Sequence, residues 1–219
     1  MADQGRRLRL PGRHATSIRD GIVLPIGLAL VVPVLGVSLL GWWGPVLHQV
    51  RTGPAWAIAV PALVGSVALA AILTIDWRST GASKLPMLAV GVVFVGVAEE
   101  LVARGVLVVG ARDAGWPEWG VFLFSTTLFA LLHGLNGFFG LPPRMTATQI
   151  ALSFFGGIAF YVGRMSTGSL VICMVLHAAW DFGSLGIQAT ERTPRPIQLV
   201  LMACAYVGSV VAVWPIVFA

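Results

Sequence analysis

Seven apolar stretches dominate this chain, near residues 21–44, 54–75, 86–109, 118–137, 147–164, 168–187 and 197–218. Each is close to the roughly 20 residues that carry a helix across the hydrocarbon of a bilayer. Runs of that length leave few folding options. In lipid every backbone N–H and C=O must find its partner within the protein, which a helix does by itself and irregular chain does not. The segments between the runs are short and hold turn formers and charge, as in Asp76-Trp77-Arg78-Ser79, Arg112-Asp113-Ala114-Gly115 and Leu141-Pro142-Pro143-Arg144. The expected fold class is all-α, a multi-pass transmembrane helical bundle of about seven spanning helices, with an eighth only if a further helix lies along the interface. Residues 1–20 read as a basic N-terminal tail and 21–219 as a single transmembrane domain without internal repeats.

Composition agrees. Hydrophobic residues make up 57% of the 219 and charged residues 11%, less than half the roughly 25% of a typical globular protein. That excludes a soluble enzyme, a disordered linker and a nucleic-acid module, so the net charge of +5 is not a nucleic-acid footprint. Position explains it. Arg6, Arg7, Arg9, Arg13 and Arg19 precede the first apolar run, which is too long for the core of a cleaved signal peptide and reads as a retained anchor. With the N-terminus inside, Arg78, Lys84, Arg144, Arg192 and Arg195 join these five on the inner side, against Arg51, Arg112 and Arg164 outside. Cationic loops stay cytoplasmic, so the expected location is the cell membrane with the N-terminus in the cytoplasm. Trp42, Trp43, Trp77, Trp116 and Trp119 fall at span ends, where aromatic belts form; Trp180 does not, and is read as packing with a place in a pocket as the alternative. Cys173 and Cys204 have no second thiol at metal or redox spacing and are also read as packing.

Within the spans the ionisable residues are Glu99, Glu100, Arg104, His133, His177 and Asp181, with Glu118 at an edge. Three of them share the third span, a penalty of roughly 7 to 10 kcal/mol that its aliphatic residues barely offset. Residues four apart on a helix share a face. Glu100 and Arg104 therefore form an ion pair that orients the helix, while Glu99, turned about 100° away, is free to act as a general base. The same spacing puts Phe129 with His133, and His177 with Asp181. Counting depth along the spans, Glu99, His133, His177 and Asp181 can line one cavity in the inner half of the bilayer.

Two histidines and a glutamate, here Glu99, His133 and His177, make a three-ligand open zinc site whose fourth position holds an acidified water. The same groups can also work without metal: a carboxylate and an imidazole deprotonate water while the second imidazole and Asp181 stabilise the oxyanion. Both schemes hydrolyse, and both remain open. Other ways of cutting a bond in the membrane lack their motifs: the chain has no H-E-x-x-H, no G-x-G-D and no G-x-S-x-G, and Gly81-Ala82-Ser83-Lys84 fails as a Gly-x-Ser-Gly turn.

Three of these groupings resemble a known family. Glu99-Glu100-Leu101-Val102-Ala103-Arg104 reads as EExxxR, Phe129-Ala130-Leu131-Leu132-His133 as FxxxH, and His177-Ala178-Ala179-Trp180-Asp181 as HxxxN or HxxxD. In that order on successive spans they are similar to the type II CAAX prenyl proteases, also called CPBP intramembrane metalloproteases, over about residues 85–187. The resemblance implies a membrane-embedded endopeptidase that cuts near the end of a membrane-bound or prenylated peptide. Glu99 and His133 would activate water, and His177 with Asp181 would stabilise the transition state or bind a metal. It implies Zn²⁺ as cofactor or a metal-independent glutamate mechanism, and lipid and the substrate as partners. Asp181 departs from the commoner Asn; an ionised Asp cannot donate to an oxyanion, so it would be protonated or would orient His177 or a metal. Two other classes share the pattern of buried acids and histidines: a non-catalytic immunity or scaffold protein of the same fold, and a proton-coupled transporter.

Overall fold

The computed structural model describes residues 19–78, 84–189 and 193–218. Arg6, Arg7, Arg9 and Arg13 of the basic tail, and Arg192, lie outside the described residues. Seven helices long and apolar enough to cross a membrane follow one another: α1 (Arg19–Leu39), α2 (Ala55–Ile72), α3 (Leu85–Asp113), α4 (Glu118–Gly137), α5 (Pro143–Thr167), α6 (Leu170–Ala189) and α7 (Pro196–Val217). All seven apolar stretches are helices, and the chain is an all-α multi-pass bundle. Among the described residues there is no strand, only an isolated bridge between His48 and Ser169.

The ends of the helices differ from the ends of the apolar runs for local reasons. The first run continues to about residue 44, but α1 stops at Leu39 because Gly41 takes a φ of 66°, a left-handed turn that ends a helix. Trp43–Leu47 then makes a single helical turn. α5 starts at Pro143, several residues before its apolar run, since a proline at the first helical position has no N–H to leave unpaired. Two arginines counted with the outer charges lie on helix ends rather than in loops. Arg112 sits in the last turn of α3, and Arg164 in the last turn of α5.

Helices in lipid gain little from hiding apolar surface and associate where small residues let backbones approach. α6 runs between α2 and α3, and those are its most extensive contacts. At Gly96 of α3 a Cβ would lie 2.9 Å from the Met174 carbonyl oxygen and 3.0 Å from the Ala178 nitrogen. At Gly183 of α6 it would lie 2.7 Å from Ala71 Cβ of α2. These two contacts bring α3, α6 and α2 together at a depth that puts His177 opposite Glu99 and Glu100. α7 covers α2 and α5, α4 packs on α5, and α1 leans on α3. The core joins Val60 and Val64 of α2, Val121 of α4, Tyr161 and Met165 of α5, and Ala205 and Ala212 of α7. Every residue of α5 from Gly157 to Ser166 is buried. Outward, Leu28, Val32, Leu73, Val207 and Trp214 are exposed, the apolar rim a lipid solvent requires. Cys173 is buried and Cys204 exposed, both free.

Candidate active site

α3 is not uniform. Its α-helical part runs through Glu100, a π-helical stretch covers Leu101–Val106, and Leu107–Asp113 is α-helical again. Such stretches concentrate at functional sites, and this one contains Arg104. Arg104 Nη1 donates to Glu100 Oε1 at 2.8 Å, with both side chains fully buried. Its Nη2 donates to the Gly157 carbonyl at 3.1 Å, and its guanidinium lies 4.0 Å over the Phe129 ring. A side chain on Gly157 would meet Thr126 at 2.9 Å and Arg104 at 3.3 Å, so the bare backbone there is what lets the arginine reach its carbonyl.

The same Glu100 oxygen accepts a hydrogen bond from His177 Nδ1 at 2.8 Å. A carboxylate paired with an arginine accepts only, so Nδ1 carries a proton, and in the neutral imidazole Nε2 holds the lone pair. His133, at the end of the α-helical part of α4, has Nδ1 3.0 Å from the Phe129 carbonyl oxygen. That contact sets the same tautomer. Two imidazoles on different helices therefore present a basic Nε2 each.

Both face Glu99. Its Oε2 lies 3.9 Å from His133 Nε2 and 3.8 Å from His177 Nε2. Those separations exceed a hydrogen bond, and Oε2 is shut off from the surface with no hydrogen-bond partner. Asp181, one turn beyond His177, brings Oδ2 to 3.7 Å from the same Nε2. The six ionisable residues singled out from the sequence are thus gathered at one place, Glu100 and Arg104 beneath and Glu99, His133, His177 and Asp181 above.

A cavity of about 820 Å³ leads to them, lined by His133, His177 and Asp181 together with residues of α5 and α7 such as Leu152 and Tyr206. It lies in the end of the bundle where α1 begins. Trp180, packing or pocket from the sequence, is both: it packs against the core and lines this cavity near Tyr206, ring centroids 6.3 Å apart. Phe160 of α5 was not singled out, yet its ring stacks on His177 at 4.8 Å and 15°. The Gly156-Gly157 pair in an apolar span, a mark of close helix approach, was the sequence signal for α5 at the site.

For a metal, the donors fit in kind. Glu99 offers a carboxylate, and each histidine turns Nε2 inward while its Nδ1–H is anchored by Glu100 or a carbonyl, the usual outer partners of ligating imidazoles. The spacing is looser than the chemistry. Ligands about 2.0 to 2.1 Å from a tetrahedral zinc lie about 3.4 Å apart, and among the described residues no three such groups are arranged to hold an ion.

At the opposite end Arg112 grips Glu118 with two hydrogen bonds of 2.5 and 2.9 Å and Gln49 with one of 2.9 Å, and the Tyr161 hydroxyl donates to Glu118. Buried Arg164 donates to the Leu47 and Pro45 carbonyls at 2.8 and 2.9 Å. These contacts tie the segment between α1 and α2 to the bundle.

No curated protein and no solved structure matches the chain. Residues 81–183 match a family described as type II CAAX prenyl endopeptidase Rce1-like, and the match takes in the gathered carboxylates, histidines and arginine. Over that segment, which carries the site, the chain is similar to the Rce1-like type II CAAX prenyl endopeptidases.

Proposed function

We propose that the protein is a membrane-embedded endopeptidase that hydrolyses a peptide bond near the C-terminal end of a membrane-anchored substrate, prenylated or otherwise lipid-bearing. The observation that carries this reading is the Glu99 carboxylate, whose Oε2 is buried without a hydrogen bond and is faced by two imidazole nitrogens at 3.8 and 3.9 Å. An acid within a membrane span costs about 2.5 to 3.5 kcal/mol, and a general base is a use for it.

In this mechanism a water donates one O–H to Glu99 and the other to Nε2 of His133 or His177, which aims its lone pair at the scissile carbonyl carbon. Glu99 takes the first proton as the C–O bond forms. The tetrahedral intermediate collapses, the C–N bond breaks, and Glu99 returns that proton to the leaving amine. Glu100 and Arg104 take no proton; they hold His177 in the tautomer and orientation the step needs. Asp181 flanks the same Nε2. Zinc bound by Glu99, His133 and His177 would acidify the water further. The cavity supplies an apolar wall for the lipid-bearing end of the substrate.

Glu99→Gln and His133→Ala are each expected to lower cleavage of a lipidated peptide in membranes by at least about a hundredfold, the usual worth of a general base, at unchanged protein level. Normal cleavage by Glu99→Gln ends this reading. With ligand atoms as widely spaced as they are, cleavage is expected to survive a zinc chelator. Loss that only added zinc restores would instead make Glu99, His133 and His177 metal ligands.

A further inference from the structure

The cavity wall carries one cationic side chain, Arg144, that the proposed chemistry does not use. Arg144, in the first turn of α5, lines the same cavity as His133, His177 and Asp181. It is the single arginine or lysine among the lining residues. Among the described residues no carboxylate forms an ion pair with it. The charge inside the cavity is therefore divided: an acid and two histidines at the deep end, a cation at the mouth, and a largely apolar wall between them.

The spacing has a scale. Arg144 precedes Gly156 by twelve residues (144 to 156), and Gly156 both lines the cavity and adjoins the carbonyl that holds Arg104. Twelve residues of helix rise about 18 Å, which extended peptide covers in about five residues at 3.3 to 3.6 Å each. A substrate whose bond is cut at the deep end brings its own terminus to the mouth if it ends within about five residues. That terminus is a carboxylate. Taking it out of water into an apolar cavity is costly unless a cation meets it, and a guanidinium matches a carboxylate in shape and charge.

We propose that Arg144 binds the free C-terminal carboxylate of the substrate, so that the cavity measures the distance from chain end to scissile bond. The inference rests on the endopeptidase reading for the identity of its ligand, but its test is a binding measurement that needs no cleavage. The full-length Glu99→Gln protein in nanodiscs is titrated with an S-farnesylated peptide in two forms, free acid and C-terminal amide. The free acid is expected to bind about tenfold more tightly, the worth of a charge-assisted hydrogen bond at a part-exposed site, and less so as salt rises. Arg144→Gln is expected to bring the acid-to-amide ratio to about one, and Arg144→Lys to keep part of it, with unfolding temperatures of all three proteins compared to exclude misfolding.

Equal binding of acid and amide by the Arg144-containing protein overturns the proposal, as does an undiminished ratio in Arg144→Gln or failure of both peptides to bind. These outcomes are separate from the cleavage test: loss of the ratio leaves the role of Glu99 standing, and should Glu99→Gln cleave normally, the same peptides with a reduced, uncleavable scissile bond keep the ratio readable.

Discussion

Glu99 and Glu100 are the same residue type one position apart, and their surroundings give them different work. Glu100 is fully buried and accepts from both Arg104 and His177 through one oxygen. Its pairing with Arg104 was legible from the four-residue spacing. Its bond to His177, 77 residues along the chain, was not, because helix periodicity says nothing of which face of another span will arrive. Glu100→Gln removes the counter-charge of a buried arginine, a change that costs about 3 to 5 kcal/mol. The expected outcome is lower membrane yield and a lower unfolding temperature in detergent as well as lost activity, whereas Glu99→Gln loses activity alone. Equal stability of the two variants would mean the division of labour is wrongly drawn. Asp181 follows the same logic: its place beside His177 came from spacing, while its 3.7 Å approach to the nitrogen that also faces Glu99 came from packing.

Hydropathy located all seven spans because lipid imposes length and apolarity on each one separately. It was silent on the π-helical stretch Leu101–Val106, since an apolar run reads alike at either helical pitch. It was equally silent on which helices meet, and so Trp180 could not be placed between core and pocket and Phe160 passed unnoticed. Neighbours are decided by where small residues fall. Gly96 is the sharpest instance, with the α6 backbone so near that any Cβ collides with main-chain atoms rather than with a side chain that can swing away. Gly96→Val is expected to destabilise by about 1 to 3 kcal/mol, the usual cost of overpacking. It should also lower cleavage by shifting His177 away from Glu99. Thermal unfolding in detergent and cleavage in membranes measure the two effects, and unchanged values for both would mean that α3 and α6 do not meet there.

The bundle as a whole is polar at its two ends in different ways: an open cavity where α1 begins, and a clasp of Arg112, Glu118, Tyr161 and Arg164 at the other. The asymmetry of basic residues predicts that the cavity end faces the cytoplasm. In a Cys204→Ala background, Trp116→Cys is expected to react with an impermeant maleimide from outside intact cells, and Phe139→Cys only after permeabilisation. The reverse pattern inverts the orientation. The clasp was not foreseen because its two arginines were sorted by side of the membrane rather than by partner, and Glu118 and Tyr161 were not linked to them. Beneath it α5 is buried without interruption from Gly157 to Ser166, and this solid stretch has a bearing on more than packing. Ionisable groups and water at mid-bilayer depth are the ingredients of a proton leak. Closed off by α5 and the clasp, the cavity that reaches His133, His177 and Asp181 is a cul-de-sac, so a cell can keep such a protein inside its insulating layer without short-circuiting the gradient across it.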